Sequence, residues 1–466
     1  MKRAIFLSII CLLAPILFIR ANSFVWTTYD TWPNFTKVEL KGGDFVGWNN
    51  MTVGDFDGLS AQAGDKKSEI AVARGRGQKP EVIIYDGGGN ELKRFLAFGE
   101  DFLGGVSLTS YDLDGDGTDE FVVGAGPGGT AHVRILDSDG KPKINLGFFA
   151  FDKSYSGGVS VAVGKVLNKN DINIIIGSGE WKNPVVRIFS LAGSLLKEIK
   201  IKDFPSSLGM KVSVIDLGGD GQGELAVSGT YGSKSWVALY RGDGTRFNNF
   251  KVFDNKFIGG VKLIATDLNK TKGEEMIVGS NPADKSKIAI VDGFNKNLKT
   301  AQELFTDDTL ARGLNVGVGD INSDGIKEIM AMPNYVLADD KNIINKKILV
   351  NIKNQELQPI DRGVPLTTFQ VSTGKWDMPT PLGDFKILNK SPRAFSQKYN
   401  LYMPWWMSFK PSYGIHELPE WAGGKKEGEN HLGIRVSHGC IRLGVGPAEW
   451  LYDWTPVGTR VEVVDK

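Results

Sequence analysis

Along most of the chain the apolar positions come in short runs, separated by glycine, aspartate and asparagine. That is the pattern of short strands joined by turns. The runs also recur. A glycine-rich step followed by an alternating strand opens at Gly104, Gly157, Leu208, Gly259 and Arg312, a period of roughly 50 residues. Within each period a second strand follows an acidic loop, as at Glu120–Gly124 and Glu275–Gly279. A third comes next, as at His132–Leu136 and Val185–Phe189. An aromatic-rich fourth closes the unit, as at Phe95–Phe98, Phe148–Phe151 and Phe250–Phe253. Four short strands per repeat is the make-up of a β-propeller blade. A further acidic loop at Asp55–Gly58 brings these loop positions to six. The last copy, near residues 312–334, lacks outer strands, and the segment Val25–Leu40 resembles the missing pieces. We therefore expect the N-terminal segment to close the ring against the last blade, leaving no open sheet edge. Six blades is the expected count, and seven the rival.

Composition sharpens this picture. The 466 residues include 58 glycines, and 41% are hydrophobic against 23% charged, so real cores are buried and wholesale disorder is excluded. Lys+Arg of 55 against Asp+Glu of 54 leaves a formal charge of +1. No basic surplus argues for nucleic acid. At the N-terminus, Met1–Arg3 is positive, residues 4–19 are almost wholly apolar, and Ala21–Ser23 are small or polar. This reads as a signal peptide over residues 1–23, with an uncleaved anchor as the alternative. The apolar run is shorter than the roughly 20 residues of a membrane span, and membrane contact is expected only through this segment. The two cysteines make no disulfide framework: Cys11 leaves with the signal, and Cys440 is left alone.

Two acidic loops carry metal-ligand spacing. Asp112, Asp114, Asp116 and Glu120 occupy loop positions 1, 3, 5 and 9, and Asp320, Asn322, Asp324 and Glu328 repeat the pattern. Calcium takes six to eight hard oxygen ligands, which this spacing can supply. The alternative is a solvated turn whose Asp and Asn side chains cap their own backbone. Other copies are degraded: Gly218 and Thr271 stand at ligand positions, and Lys165 heads the third loop. Residues 42–334 resemble the FG-GAP/VCBS repeats of integrin-like propellers. The resemblance implies calcium-stapled blades and a binding or adhesion role. Calcium is expected to stabilise loops, and no cofactor is expected for catalysis.

After about residue 340 the glycine period stops. Six of the 11 tryptophans fall between Trp376 and Trp454, and His416, His431 and His438 cluster near Cys440. A lone exported cysteine beside histidines invites a nucleophile reading, against an inert buried thiol or a zinc site. The segment Ser437–Leu443, preceded by Tyr413–His416, resembles the active-site signature of the L,D-transpeptidases, the YkuD-type domains. Val371–Gly374 with Pro379–Ile387 is similar to that family's upstream motif, and Lys347–Leu357 to its opening strands. The resemblance implies a small β-rich domain acting on peptidoglycan stem peptides. In it Cys440 is the nucleophile, His416 the base and His438 a residue shaping the site, with the Gly439 and Cys440 amides as oxyanion donors. Ser437, Tyr413, Trp405 and Trp406 are expected to line the substrate cleft. Arg442 is expected to lower the thiol pKa, to bind a substrate carboxylate, or to form a surface ion pair. An insertion at Gly423–Gly428 lengthens the motif, and His431, just beyond it, is a candidate pocket residue.

The expected protein is mainly β: a signal over residues 1–23, a propeller of about six blades over 24–340, and an L,D-transpeptidase domain over 346–466. Its expected role is that of an exported enzyme in the periplasm, cell wall or surface of a bacterium. It would cross-link peptidoglycan through a cysteine thioester while the propeller docks on the wall, a surface glycan or a protein. Two alternatives stand beside it. One is an adhesion or scaffold propeller with an inactive or wall-binding C-terminal domain. The other is an L,D-carboxypeptidase, in which water resolves the thioester.

Overall fold

The computed structural model describes residues 23–466 apart from 42–49, 57–66, 76–77, 145, 154, 180–183, 203–208, 231–234, 255–256, 258–259, 282–285, 293–296, 307–310, 336–345, 362–363 and 366–367. The expected export segment with Cys11, the second half of the Asp55–Gly58 loop, and the step residues Leu208 and Gly259 lie outside the described residues.

Between Ser23 and Tyr335 the strands form six four-stranded sheets. Five are continuous in sequence. They run from Asn50–Gly54 to Glu91–Leu96, from Val106–Tyr111 to Phe148–Phe149, from Val159–Gly164 to Leu195–Lys200, from Met210–Ile215 to Arg246–Lys251, and from Val261–Thr266 to Asn297–Glu303. The sixth joins Ala311–Gly319 and Glu328–Tyr335 to the N-terminal strands Ser23–Thr27 and Thr36–Glu39. Val25 pairs with Ala331 and Trp26 with Met330 in that sheet. The first strands of successive sheets are neighbours, and the sixth returns to the first, so the sheets close a ring. This is a six-bladed, propeller-like ring closed by its own N-terminus.

The layering follows from the apolar pattern. Second strands such as Glu120–Ala125 and Glu275–Ser280 are buried at every position, because strands cover their edges and other blades cover their faces. Outer strands such as Leu195–Lys200 are mostly exposed and carry lysine and glutamate. The glycine period has a backbone cause. At the step before four inner strands, Gly105, Gly158, Gly209 and Gly313 have φ between 61° and 82°, where side chains are disfavoured.

A separate sheet starts at Lys346. Its strand order is Gly383–Lys386, Arg460–Val464, Lys346–Asn351, Glu356–Asp361, Phe369–Ser372, Ile441–Leu443, Tyr413–Glu417, Leu401–Lys410 and Asn389–Ser396. The sheet curls around one core that includes Phe369, Val371, Met407, Ile415, Ile441 and Leu451. The helix Pro447–Trp454 packs against the Leu401–Lys410 and Tyr413–Glu417 strands. Ile441–Leu443 lies parallel to Tyr413–Glu417, with Ile415 opposite Ile441 and His416 opposite Arg442. That pairing, between segments far apart in sequence, brings the histidine and cysteine motifs side by side. Among the described residues no helix is long and apolar enough to cross a membrane.

Candidate active site

Cys440 ends the turn that leads into Ile441–Leu443. Continuing the parallel register one step back sets it beside Gly414, whose backbone hydrogen-bonds the thiol. Ser437 builds the turn. Its buried hydroxyl accepts from the Gly439 N–H at 3.1 Å and donates to the Cys440 carbonyl at 2.5 Å. Gly439 has φ of 108°, and a Cβ there would lie 2.6 Å from the Tyr413 ring. The upstream motif braces the turn from behind. Thr380 Oγ1 donates to the Gly439 carbonyl and accepts from the Gly374 N–H, both at 2.9 Å, while the Ser437 N–H donates to the Thr373 carbonyl at 3.0 Å.

These contacts change three expectations. The Ser437 hydroxyl is used inside the turn and is too buried to meet a substrate. The Gly439 N–H is held by that hydroxyl, which leaves the Cys440 amide as the oxyanion donor this turn offers. Tyr413, half-buried, packs its ring against the core and over Gly439, so it supports the turn as well as standing where a cleft residue would.

His416 is buried, and its Nδ1 lies 2.5 Å from the Glu417 carbonyl oxygen. A carbonyl only accepts, so the proton sits on Nδ1 and the lone pair on Nε2. Burial pushes the imidazole pKa down to about 3, with the nearby Arg442 charge adding to the effect and the Glu417 bond opposing it. Burial pushes the Cys440 thiol up, against the Gly414 bond and Arg442, which favour the thiolate. Both residues are therefore neutral at rest, which suits general-base activation better than a preformed ion pair.

Arg442 is neither a surface ion pair nor open to substrate. It is buried, and Nη1 donates to both carboxylate oxygens of Glu427 at 3.0 and 2.8 Å. Glu427 comes from the insertion, and sequence reasoning missed it, although a charge on a buried strand demands a counter-ion. His431 Nδ1 lies 3.0 Å from the same carboxylate. The insertion is tied down a second time by the Lys426–Glu417 ion pair, next to His416.

The two tryptophans part company. Trp406 sits 5.8 Å, ring to ring, from His416 and covers Gly414, where a Cβ would fall 2.4 Å from its ring. Trp405, at φ of 55°, sits at a kink in the strand and packs on the core and on Tyr452 of the helix. His438 is exposed and stacks on Tyr399 with centroids 4.5 Å apart and planes at 18°. No sequence signal pointed to Tyr399.

In the ring, the residue opening each second strand turns back into its acidic loop. The acceptors Glu69, Glu120, Asn173, Glu224, Glu275 and Glu328 take the amides of Phe56, Leu113, Val166, Leu217, Leu268 and Ile321 at 2.8–3.2 Å. Loop position 9 is thus a backbone cap in five copies, and Glu69, farther along the longer Asp55 loop, takes the same role in the sixth. The two best loops then differ. Asp112, Asp114 and Asp116 converge, but the Lys143 ammonium lies 3.1, 2.9 and 3.2 Å from Asp114, Asp116 and Glu120. Asp320, Asp324 and Glu328 converge around no such ammonium among the described contacts, and Asn322 donates to Glu328 at 2.9 Å. Burial, with the Asp324 and Asp320 charges adding to it, pushes Glu328 up to about 7. A cation fits the chemistry of this second donor set.

Comparison with known proteins agrees with the C-terminal geometry. Residues 345–463 match the YkuD family, an L,D-transpeptidase catalytic domain. The chain is similar to the putative L,D-transpeptidase YciB of Bacillus subtilis, 30% identical over 122 residues, 24% of this chain and 63% of that protein. It is also similar to the putative L,D-transpeptidase YqjB of Bacillus subtilis, 28% identical over 151 residues, 29% of this chain and 81% of that protein. The crystal structure of an L,D-transpeptidase from Stackebrandtia nassauensis aligns at 25% identity, covering 28% of this chain and 58% of that one, with a TM-score of 0.23. The chain thus spans less than two thirds of the first of these relatives. Its C-terminal part is an L,D-transpeptidase catalytic domain, and its N-terminal part is a six-bladed, propeller-like ring.

Proposed function

We propose that this protein is an exported L,D-transpeptidase that cross-links peptidoglycan stem peptides in the periplasm or cell wall. The observation that carries the reading is the His416 tautomer: Nδ1–H is committed to the Glu417 carbonyl, so Nε2 is the basic atom, one strand from Cys440. Nε2 takes the thiol proton as sulfur attacks the carbonyl of the third stem residue. The Cys440 amide stabilises the developing oxyanion. The C–N bond to the terminal residue then breaks, the departing amine takes the proton from His416, and a thioester remains on Cys440. An amine from a neighbouring stem attacks that thioester, giving its proton back through His416, and the cross-link leaves a free thiol. Water in place of the amine makes the same enzyme a carboxypeptidase. The propeller, in this reading, holds the enzyme on the wall, a surface glycan or a protein partner. Calcium, where bound, is held by Asp320, Asn322, Asp324 and Glu328 and stiffens their loop. At Asp112, Asp114, Asp116 and Glu120 it competes with Lys143.

The test is intact-mass measurement after incubation with a carbapenem, whose strained carbonyl a reactive Cys440 opens to a thioester. A single adduct on the wild type and none on Cys440→Ala is expected. No adduct, or equal adducts on both, refutes the enzymatic reading. Mass spectrometry of muropeptides after incubation with the enzyme then separates cross-linking from trimming.

A further inference from the structure

Beside the turn that carries Cys440 stands an aromatic side chain with no part in the acyl transfer. Lys375–Met378 is a tight turn, closed by the Met378 N–H donating to the Lys375 carbonyl at 3.0 Å. Trp376 lies at its tip with 81% of its surface exposed. Turn tips ordinarily carry glycine, proline, asparagine, aspartate or serine, and a tryptophan this open contributes almost no burial to the fold. The ring is nonetheless held in place. The Arg435 guanidinium carbon sits 4.3 Å from its centroid, and Arg435 Nη2 donates to Asp465 Oδ1 at 2.9 Å. Arg435 thus backs one face of the indole, and the other face is open to solvent. The turn is joined to the nucleophile's own loop. Gly374 bridges Ser437 in parallel, and the Lys375 N–H donates to the Ser437 carbonyl at 3.0 Å. A Cβ at Gly374 would fall 2.2 Å from the Met378 carbonyl oxygen, so the turn folds tightly back on this junction. Lys375 and Asp377, on either side of Trp376, pair at 3.3 Å, and both are near enough to His438 for their charges to act on its imidazole. The result is a fixed, flat apolar face, edged by a donor and an acceptor, at the side of the active site.

We propose, resting on the reading of this chain as a peptidoglycan transpeptidase, that Trp376 is the platform of a sugar subsite. One residue of the glycan strand that bears the substrate stem stacks on it while Cys440 engages the peptide. One side of a pyranose is a set of C–H bonds with partial positive charge, which matches the negative face of an indole. Its hydroxyl and amide groups project from the edge, where Lys375 donates and Asp377 accepts. A protein partner calls for a contact of roughly 800 Å² a side, far more than one ring at a turn tip presents. Because Arg435 already holds the indole, little rotamer freedom is lost when a sugar stacks on it.

The test is binding to the full chain carrying Cys440→Ala, where no acyl transfer occurs. Titration calorimetry compares a disaccharide–tetrapeptide with the free tetrapeptide of the same sequence. The attached sugars are expected to tighten binding about three- to tenfold, the yield of one stacked ring. Adding Trp376→Ala is expected to abolish that gain while the free peptide binds as before. Trp376→Tyr keeps a flat aromatic face and is expected to restore most of it. The exposure of the side chain keeps both variants folded. Saturation-transfer NMR from the aromatic protons is expected to reach the sugar-ring protons, and to lose them in Trp376→Ala. Equal affinity for the two ligands overturns the proposal. So does a loss in Trp376→Ala that the free peptide shares, which makes the ring a peptide contact. A carbapenem adduct on Cys440 with no effect of the sugars leaves the enzymatic reading standing and removes this one, whereas a sugar effect without an adduct does the reverse.

Discussion

Replacing Glu427 with glutamine separates the two jobs assigned to the insertion. In the wild type Arg442 and Glu427 are a paired charge with side chains only 8% and 12% exposed. Removing one partner of a buried pair costs about 3–5 kcal/mol, because the other charge is left without compensation. Glutamine keeps one carbonyl acceptor within reach of Nη1, so about 3 kcal/mol is the reasonable figure. For a domain of this size that lowers the melting temperature of the C-terminal transition by roughly 10 °C. Reactivity moves the opposite way. Arg442 already favours the thiolate of Cys440, and without Glu427 its field is no longer cancelled. The assay is the rate of alkylation by iodoacetamide against pH, with circular dichroism to establish that the domain is folded at the assay temperature. In Glu427→Gln the midpoint of the rate profile is expected to fall, and in Arg442→Gln to rise. A folded Glu427→Gln variant whose midpoint rises or stays put would refute the electrostatic reasoning and reduce Glu427 to a packing residue.

Further outcomes follow from single contacts. His416 has a folded pKa near 3 against about 6.5 unfolded, so the unfolded state binds more protons between those values. Stability of the C-terminal domain should therefore climb as pH rises from 3 to 6.5, by up to about 1.4 kcal/mol per pH unit, and His416→Gln should lack that slope in urea titrations. Gly439→Ala puts a methyl into the Tyr413 ring at a φ of 108°. It should cost about 2–4 kcal/mol and cut the carbapenem acylation rate at least 100-fold, and an unimpaired rate would show the turn to be adaptable. Phe24→Ala empties a fully buried site in the closing strand and should destabilise the ring by about 3–5 kcal/mol while leaving the C-terminal transition in place, as scanning calorimetry can resolve. Lys143→Met should raise calcium affinity at the Asp112 loop, and Asp320→Asn should lower it at the other. Calorimetric titration showing neither would dismiss both loops as cation sites.

The repeat was legible because its physics is local. Glycine at a left-handed step, an all-apolar second strand and an exposed outer strand each leave a mark on the residues that carry them. Closure by Ser23–Thr27 was legible too, since a truncated last copy and an orphan first strand imply each other. The site divided differently. The motif Ser437–Cys440 and the partner His416 could be named from the chain, but the use of each polar group could not. Whether a serine hydroxyl faces a substrate or folds back on its own turn is decided by backbone angles around Gly439, which depend on Thr380 and Gly374. Trp405 and Trp406 were equivalent in sequence and became different only through a strand kink and the helix behind it. Tyr399 and Glu427 reach the site from loops, where no periodicity marks them.

The acidic loops show why ligand spacing alone does not identify a metal loop. A carboxylate at position 9 looks like a calcium ligand, yet in every blade the residue opening the second strand, Glu69 in the longer first loop included, first accepts the amide at position 2. The same bond is made by Asn173 in the copy headed by Lys165, where an amide oxygen replaces the carboxylate and a lysine stands at position 1. Geometry therefore protects position 9 whether or not a cation binds, because an uncapped amide buried between blades would cost about 1–3 kcal/mol. Positions 1, 3 and 5 also cap amides of their own loops, as Asp112 does for Gly115 and Gly117 and Asp320 for Asp324 and Gly325, but those amides lie in exposed turns. An exposed cap costs less to lose than a buried one, so Gly218 and Thr271 are tolerated at these positions, and the Asp114–Asp116 pair also holds Lys143. The discriminating feature of a metal loop in this ring is thus the set at positions 1, 3 and 5 together with the absence of a lysine able to reach it. By that criterion Asp320, Asn322 and Asp324 form the stronger candidate, with no lysine reaching them among the described contacts.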